Sequence, residues 1–158
     1  MTPISRLLIE HECGKLPLLF AKCADTGDHA ALADLFTQDC VYARPFQPDY
    51  PFHGRERVQA MFRDRPPLLV RHVVSNVLVE VVSETRATGT SYLAMLSCHA
   101  PVEPPQEAGG LFVGGFTDDY VLDDGKWRFA RRLGMIALYQ GGKMPNPPIP
   151  SDEARGLK

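Results

Sequence analysis

The strongest constraint on this chain is a change of period near residue 70. Downstream of it, Arg71 to Ser83 carries Val73, Val74, Val77, Val79, Val81 and Val82. β-Branched side chains crowd a helix and fit a pleated, largely buried surface. Glu84-Thr85 begins a turn, and Arg86 to Ala100 reads as a second long strand. Pro101 to Gly110 contains Pro101, Pro104, Pro105, Gly109 and Gly110, the composition of a flexible connection. Leu111 to Leu122 is a third strand, Asp123-Asp124-Gly125 a hairpin turn and Lys126 to Tyr139 a fourth.

Upstream, the spacing is helical. Ile9, Cys13, Leu16, Phe20 and Cys23 form one apolar stripe. Gly14 and Pro17 interrupt it, and Pro17 has no N–H for the Cys13 carbonyl, so the spacing predicts a kink or two short helices. Asp25-Thr26-Gly27-Asp28 is a break, with Gly27 suited to a left-handed helix end and Asp28 to a new N-cap. Leu32, Leu35 and Phe36 mark a short second helix, and Cys40 to Ala43 a brief strand. Pro45, Pro48 and Pro51 require a loop. A third helix after Gly54 turns Val58, Met61 and Phe62 inward and stops at Pro66-Pro67.

Helices followed by an antiparallel meander make an α+β pattern. A sheet of four or five strands needs its concave side covered, and the N-terminal helices are the elements available for that. Together they leave an internal apolar cavity, a usual place for a small ligand. The 158 residues fit one domain, taken as residues 1–141, with a Pro-rich tail over residues 142–158 that is extended or mobile, or lies on a partner subunit.

Composition narrows the function classes. With 44% apolar and 23% charged residues, the chain can bury a core without a metal or a disulfide. A net charge of −2 with scattered Lys and Arg argues against nucleic acid. Leu16 to Ala21 contains Pro17 between Lys15 and Lys22, which speaks against a signal peptide or membrane span and for a cytoplasmic protein. Cys13, Cys23, Cys40 and Cys98 lack zinc or redox spacing and read as thiols and small apolar residues. Asp118-Asp119 and Asp123-Asp124, on or beside a hairpin, read as solvated charge and turn chemistry rather than a metal site.

Three stretches carry a family resemblance. Ala24-Asp25-Thr26-Gly27-Asp28 followed by Ala31 to Val41 resembles an opening in which a helix ends in Asp and "LF-x-x-D" leads into a strand. His53-Gly54-Arg55-Glu56 and Arg71-His72-Val73-Val74-Ser75-Asn76 are similar to a "G-R-E" helix start and an "R-H-x-x-S-N" strand. Gly114 to Tyr120 with Gly125-Lys126-Trp127-Arg128 through Arg132 resembles a "G-x-Y-x-D" strand and a "G-x-W-R" hairpin. In this order they resemble the SnoaL-like group of the NTF2-like superfamily, its scytalone dehydratase, dehydrochlorinase and polyketide cyclase branch. The resemblance implies a cone-shaped curved sheet, antiparallel or mixed, closed by N-terminal helices, and a homodimer or higher homo-oligomer.

It also implies an Asp–His dyad of Asp25 and His72. The chemistry gives the pair a reason. A neutral imidazole, with an ordinary pKa of about 6.5, can take a proton at neutral pH. A carboxylate on its other nitrogen fixes the tautomer and stabilises the imidazolium. Without the resemblance, Asp25 reads as a turn residue and His72 as an edge residue. Candidate pocket residues are Asn76, with the strand parity of His72, and the aromatics Tyr42, Tyr92 and Phe116. Relative to the dehydratase pattern, Ala24 and Phe116 stand where hydroxyls are common, and His99 sits at a strand end beside Pro101. The expected function is cofactor-free dehydratase, lyase, cyclase or isomerase chemistry on a small hydrophobic carbonyl compound. The alternative is a non-catalytic binding or assembly module resembling a ring-hydroxylating dioxygenase small subunit.

Overall fold

The structure is a computed structural model that describes residues 1–99, 103–141 and 144–157. The end of the second expected strand, Ala100, and the start of the connection after it lie outside the described residues, as does the start of the tail. Helix α1 (Pro3–Thr26) opens with Thr2 as N-cap and Pro at the first helical position. It closes on Gly27 at φ 73°, whose N–H donates to the Cys23 carbonyl. Pro17 lies inside this one continuous helix, not between two short ones. Its ring is buried with Cys13, Leu16 and Phe20 in the core, and that burial offsets the missing hydrogen bond.

Asp28 starts helix α2 (His29–Asp34), its Oδ1 accepting from the Ala31 N–H at 3.0 Å. Leu35 ends α2 and Phe36 already belongs to strand β1 (Phe36–Ala43), which is longer than the Cys40–Ala43 segment expected. Strand β2 (Phe52–His53) and helix α3 (Arg55–Arg63) follow. The long strands are β3 (Leu69–Val81), β4 (Arg86–Cys98), β5 (Leu111–Asp123) and β6 (Lys126–Gln140). A last short helix, α4 (Asp152–Arg155), lies near the C-terminus.

The strands form one six-stranded sheet in the order β2-β1-β6-β5-β4-β3. All pairings are antiparallel except β1 with β6, so the sheet is mixed and one or two strands wider than expected. The curved sheet and its helices make the fold α+β and NTF2-like. Helix α1 crosses β3, and α2 and α3 pack against each other at the open side. Phe20 sits at the centre of the core, with ring centroids 5.6 to 6.3 Å from Phe36, Tyr42, Phe62, Phe116 and Phe129. Aromatic residues at such edge and tilted geometries bury much area with few rotatable bonds, and they fix the strand faces that point inward. No helix among the described residues is long and apolar enough to cross a membrane.

The tail folds back on its own chain. Gln47 Nε2 donates to the Pro147 carbonyl, and Arg155 lies over the Tyr50 ring, 5.6 Å from its centroid. Its described part is thus extended along its own chain before the short α4.

Candidate active site

Asp25 sits in the last turn of α1 and His72 near the start of β3. The crossing of α1 over β3 brings them together. Asp25 Oδ1 is 2.5 Å from His72 Nδ1, and Asp25 Oδ2 accepts the His72 backbone N–H at 3.1 Å. The side chains keep only 13% and 11% of their surface exposed. An ionised carboxylate cannot donate, so in this contact Nδ1 is the donor, and in the neutral ring the lone pair then sits on Nε2. The backbone bond holds the second carboxylate oxygen, so the carboxylate is anchored at both oxygens to the same residue.

His72 lines a cavity of about 230 Å³. Phe20, Phe46, Met61, Phe62, Leu93 and Phe116 form its apolar wall. Polar groups on the lining are few: Tyr42, Ser97, His99, Arg44 and Arg65 beside His72. Pro145 and Pro147 of the tail cover one side. Asp25 is not part of the lining and lies on the Nδ1 side of the imidazole. Arg65 donates to the Ala24 carbonyl at 3.0 Å. A cation there offsets both the helix C-terminus and the Asp25 charge. Burial leaves the Arg65 guanidinium below its usual range, because desolvation outweighs the opposing attraction of Tyr42 and then Asp25.

Of the other sequence candidates, Tyr42 and Phe116 reach the cavity and Asn76 and Tyr92 do not. Asn76 has φ 50° at a register shift between Ser75 and Leu78. The extra residue moves the inward parity from His72 and Val74 to Val77, Val79 and Val81, and leaves Asn76 exposed. Tyr92 faces out because Ser91 and Leu93 are the buried neighbours on β4. Tyr42 is buried, and desolvation, only partly opposed by Arg132, Arg65 and Arg44, raises its hydroxyl to about 12. The phenol therefore stays a hydrogen-bond donor across the physiological range.

The sequence reading missed Arg44, Arg65 and Ser97, and it left His99 outside the site. Arg44 shares the parity of Tyr42 just past the end of β1, a signal that was available. Arg65 stands at the end of α3 before Pro66, where only tertiary packing turns it inward. Asp118 is corrected outright: it is fully buried rather than solvated. Its Oδ2 accepts from Arg132 Nη1 at 2.6 Å and from the Tyr120 hydroxyl at 3.0 Å. The Arg132 guanidinium lies 3.8 Å from the Phe116 centroid and 4.6 Å from that of Phe20, directly beneath the cavity wall. Among the described residues, no group of three or more His, Cys, Asp or Glu gathers in a way that could hold a metal ion.

The SnoaL-like domain model matches residues 5–133. The chain belongs to the SnoaL-like domain family. Among curated proteins none matches it. Solved structures do. A putative scytalone dehydratase from Novosphingobium aromaticivorans superposes with a TM-score of 0.78 at 20% identity, covering 91% of this chain and 94% of that one. A hexachlorocyclohexane dehydrochlorinase (LinA, type 2) gives a TM-score of 0.75 at 18% identity over 93% and 99% of the two chains. ActVI-ORFA from Streptomyces coelicolor gives 0.61 at 25% identity over 80% and 95%. At these identities the likeness carries the SnoaL-like fold, and the chemistry must be argued from the site.

Proposed function

We propose that this SnoaL-like protein is a cofactor-independent acid–base enzyme of the dehydratase, lyase, cyclase or isomerase type, acting on a small hydrophobic carbonyl compound. The observation that carries the proposal is the 2.5 Å contact between Asp25 Oδ1 and His72 Nδ1, with the same imidazole lining an apolar cavity. His72 Nε2 removes a proton from the carbon next to the substrate carbonyl. Asp25 holds the ring and stabilises the imidazolium, and the Tyr42 hydroxyl donates to the enolate oxygen. The apolar wall excludes water and strengthens each of these interactions. A positioned general base contributes about 10²–10⁴-fold. The protonated ring then returns its proton to a leaving hydroxyl or to another carbon, which separates elimination from isomerisation. The family and its dehydratase- and dehydrochlorinase-named neighbours support this reaction class.

The test uses small apolar aryl and alicyclic ketones in deuterated water, read by mass spectrometry. Wild type is expected to wash deuterium into the carbon next to the carbonyl. His72→Ala is expected to slow this by about 10²–10⁴-fold with the fold intact by circular dichroism. Exchange that survives the substitution removes His72 from the mechanism.

A second reading is favoured by Ala24 and Phe116, buried and apolar where a hydroxyl would serve a dehydratase. It makes the chain a non-catalytic binding or assembly module, with a ligand bound and released unchanged. Absence of exchange across the ketone series in wild type would select it. We further propose a homodimer or higher homo-oligomer formed through the outer sheet face, where Val73, Tyr92, Met135 and Leu138 are exposed. We take the setting as cytoplasmic, where cysteine thiols stay reduced. Residues 142–158 are taken as a tail on a single domain of residues 1–141.

A further inference from the structure

The cavity has an imbalance of charge that the dyad does not use. Arg44 and Arg65 both line it, and no carboxylate does among the described residues. Neither guanidinium lies within ion-pair distance of an acidic side chain there; Arg44 bonds to the neutral Gln47 and Arg65 to the Ala24 carbonyl. Arg44 Nε is buried without a partner in the protein, and burial holds the Arg44 guanidinium below its usual range with only Tyr42 opposing. Asp25 is the carboxylate that acts on Arg65, after the Tyr42 phenol. Beneath the wall, Asp118 and Arg132 neutralise each other. Asp25 balances at most one arginine, so the site retains at least one unmatched positive charge. A part-buried cation without a counter-ion costs free energy that a bound anion would recover. The cavity volume, about 230 Å³, is below that of drug-sized sites and suits a molecule of one or two rings.

We infer that the substrate is a monoanion: an apolar ring-sized molecule with one carboxylate, held by Arg44 and Arg65, in addition to the carbonyl that the dyad activates. The inference rests on the reading of the cavity as the substrate site and narrows the substrate class within it. The carboxylate supplies the missing counter-charge and meets the fork geometry of a guanidinium. It also sets the pose. Anchored near Tyr42, whose phenol feels both arginines, the ring body extends along Phe62, Leu93 and Phe116 toward His72. A neutral substrate of the same shape would leave the arginines as they are and gain none of this.

The experiment is calorimetric titration of the full-length protein with charged and neutral isosteres: benzoate against benzamide, and naphthoate against naphthamide. Wild type is expected to bind the better carboxylate at least about tenfold tighter than its amide, the usual worth of hydrogen bonds to a charged group. Arg44→Gln and Arg65→Gln are each expected to abolish most of that preference while leaving amide affinity near the wild-type value. Three results would overturn the inference: amides binding as tightly as carboxylates in wild type, no carboxylate binding at millimolar concentration, or a preference that survives both substitutions. The wild-type comparison needs no variant, so a misfolded arginine variant does not spare the idea. Ketone exchange at full rate with no carboxylate preference would sink the monoanion and leave the dyad standing. Carboxylate preference with no exchange in any ketone, aryl keto acids included, would do the reverse.

Discussion

Asp118 and Arg132 show how much free energy one buried pair can hold. Both side chains are essentially inaccessible, at 0% and 1% exposure, and Asp118 Oδ1 and Arg132 Nε have no protein partner. Burial raises the Asp118 carboxyl, and Arg132 and Tyr120 pull it back only in part. Asp118→Ala is expected to cost about 3–5 kcal/mol because it strands the guanidinium between aromatic rings. Asp118→Leu combined with Arg132→Met should recover most of that, since an apolar pair of similar volume has no desolvation cost. Urea denaturation of the two variants checks it; a double variant no better than the single one would mean that packing, not charge, sets the loss. This pair was hidden in the sequence because Asp118 precedes Asp119 close to a turn. The alternation that buries Phe116 and Tyr120 was the available signal, since Asp118 lies between them on the same face. Asp25 and His72 were legible for the opposite reason. They lie at element ends, where motif order and chemistry agree. Asn76 was misplaced because a bulge is a geometric event that parity counting does not anticipate.

At the scale of elements, helix ends and strand joints do the positioning. Arg128 on β6 donates through Nε to the Asp34 carbonyl at 3.0 Å and through Nη2 to its Oδ1 at 3.1 Å, tying the end of α2 to the sheet. Gly89 matters in the same way. A Cβ there would come within 2.8 Å of the Leu78 carbonyl and 2.9 Å of the Tyr120 ring, so glycine on β4 leaves room for Tyr120 to lie back along β5 and reach Asp118. The Arg128 hydrogen bond, against a smaller effect of burial, holds the Asp34 carboxyl below its usual range. A depressed folded value means the stabilisation is present above the unfolded carboxylate range and is lost as pH falls through the folded value. Because 52% of the Asp34 side chain is exposed, solvent screening keeps the effect under about 1 kcal/mol. Asp34→Asn should therefore be slightly less stable than wild type at neutral pH, with the gap closing in strong acid; a gap independent of pH would point to lost packing instead. Gly27 and Asp28 were readable as helix end and helix start because their chemistry is local. The strand that begins at Phe36 was not, because pairing with Phe129 on β6 decides it.

For the whole molecule, the fold was legible because valine-rich strands after a helical stripe admit few packings, and the SnoaL-like family confirms the outcome. The parallel β1–β6 pairing and the tail were not, since both depend on contacts far apart in sequence. The tail has a consequence for the cavity. Pro145 and Pro147 form part of its lining and are latched through Gln47. Deleting residues 144–158 is expected to weaken naphthamide binding by about fivefold through lost apolar cover, with the sheet still folded. Unchanged affinity would show that the cover contributes nothing to the site.

The catalytic reading depends on which nitrogen of His72 holds the proton. Two-dimensional ¹⁵N–¹H spectra that correlate ring nitrogens with ring carbon-bound protons report this directly for the neutral imidazole. The expected result is a single tautomer with Nδ1 protonated and Nε2 bare toward the cavity, mixing with the other tautomer in Asp25→Asn. A neutral ring protonated at Nε2, or a mixture in wild type that Asp25→Asn leaves unchanged, would contradict it.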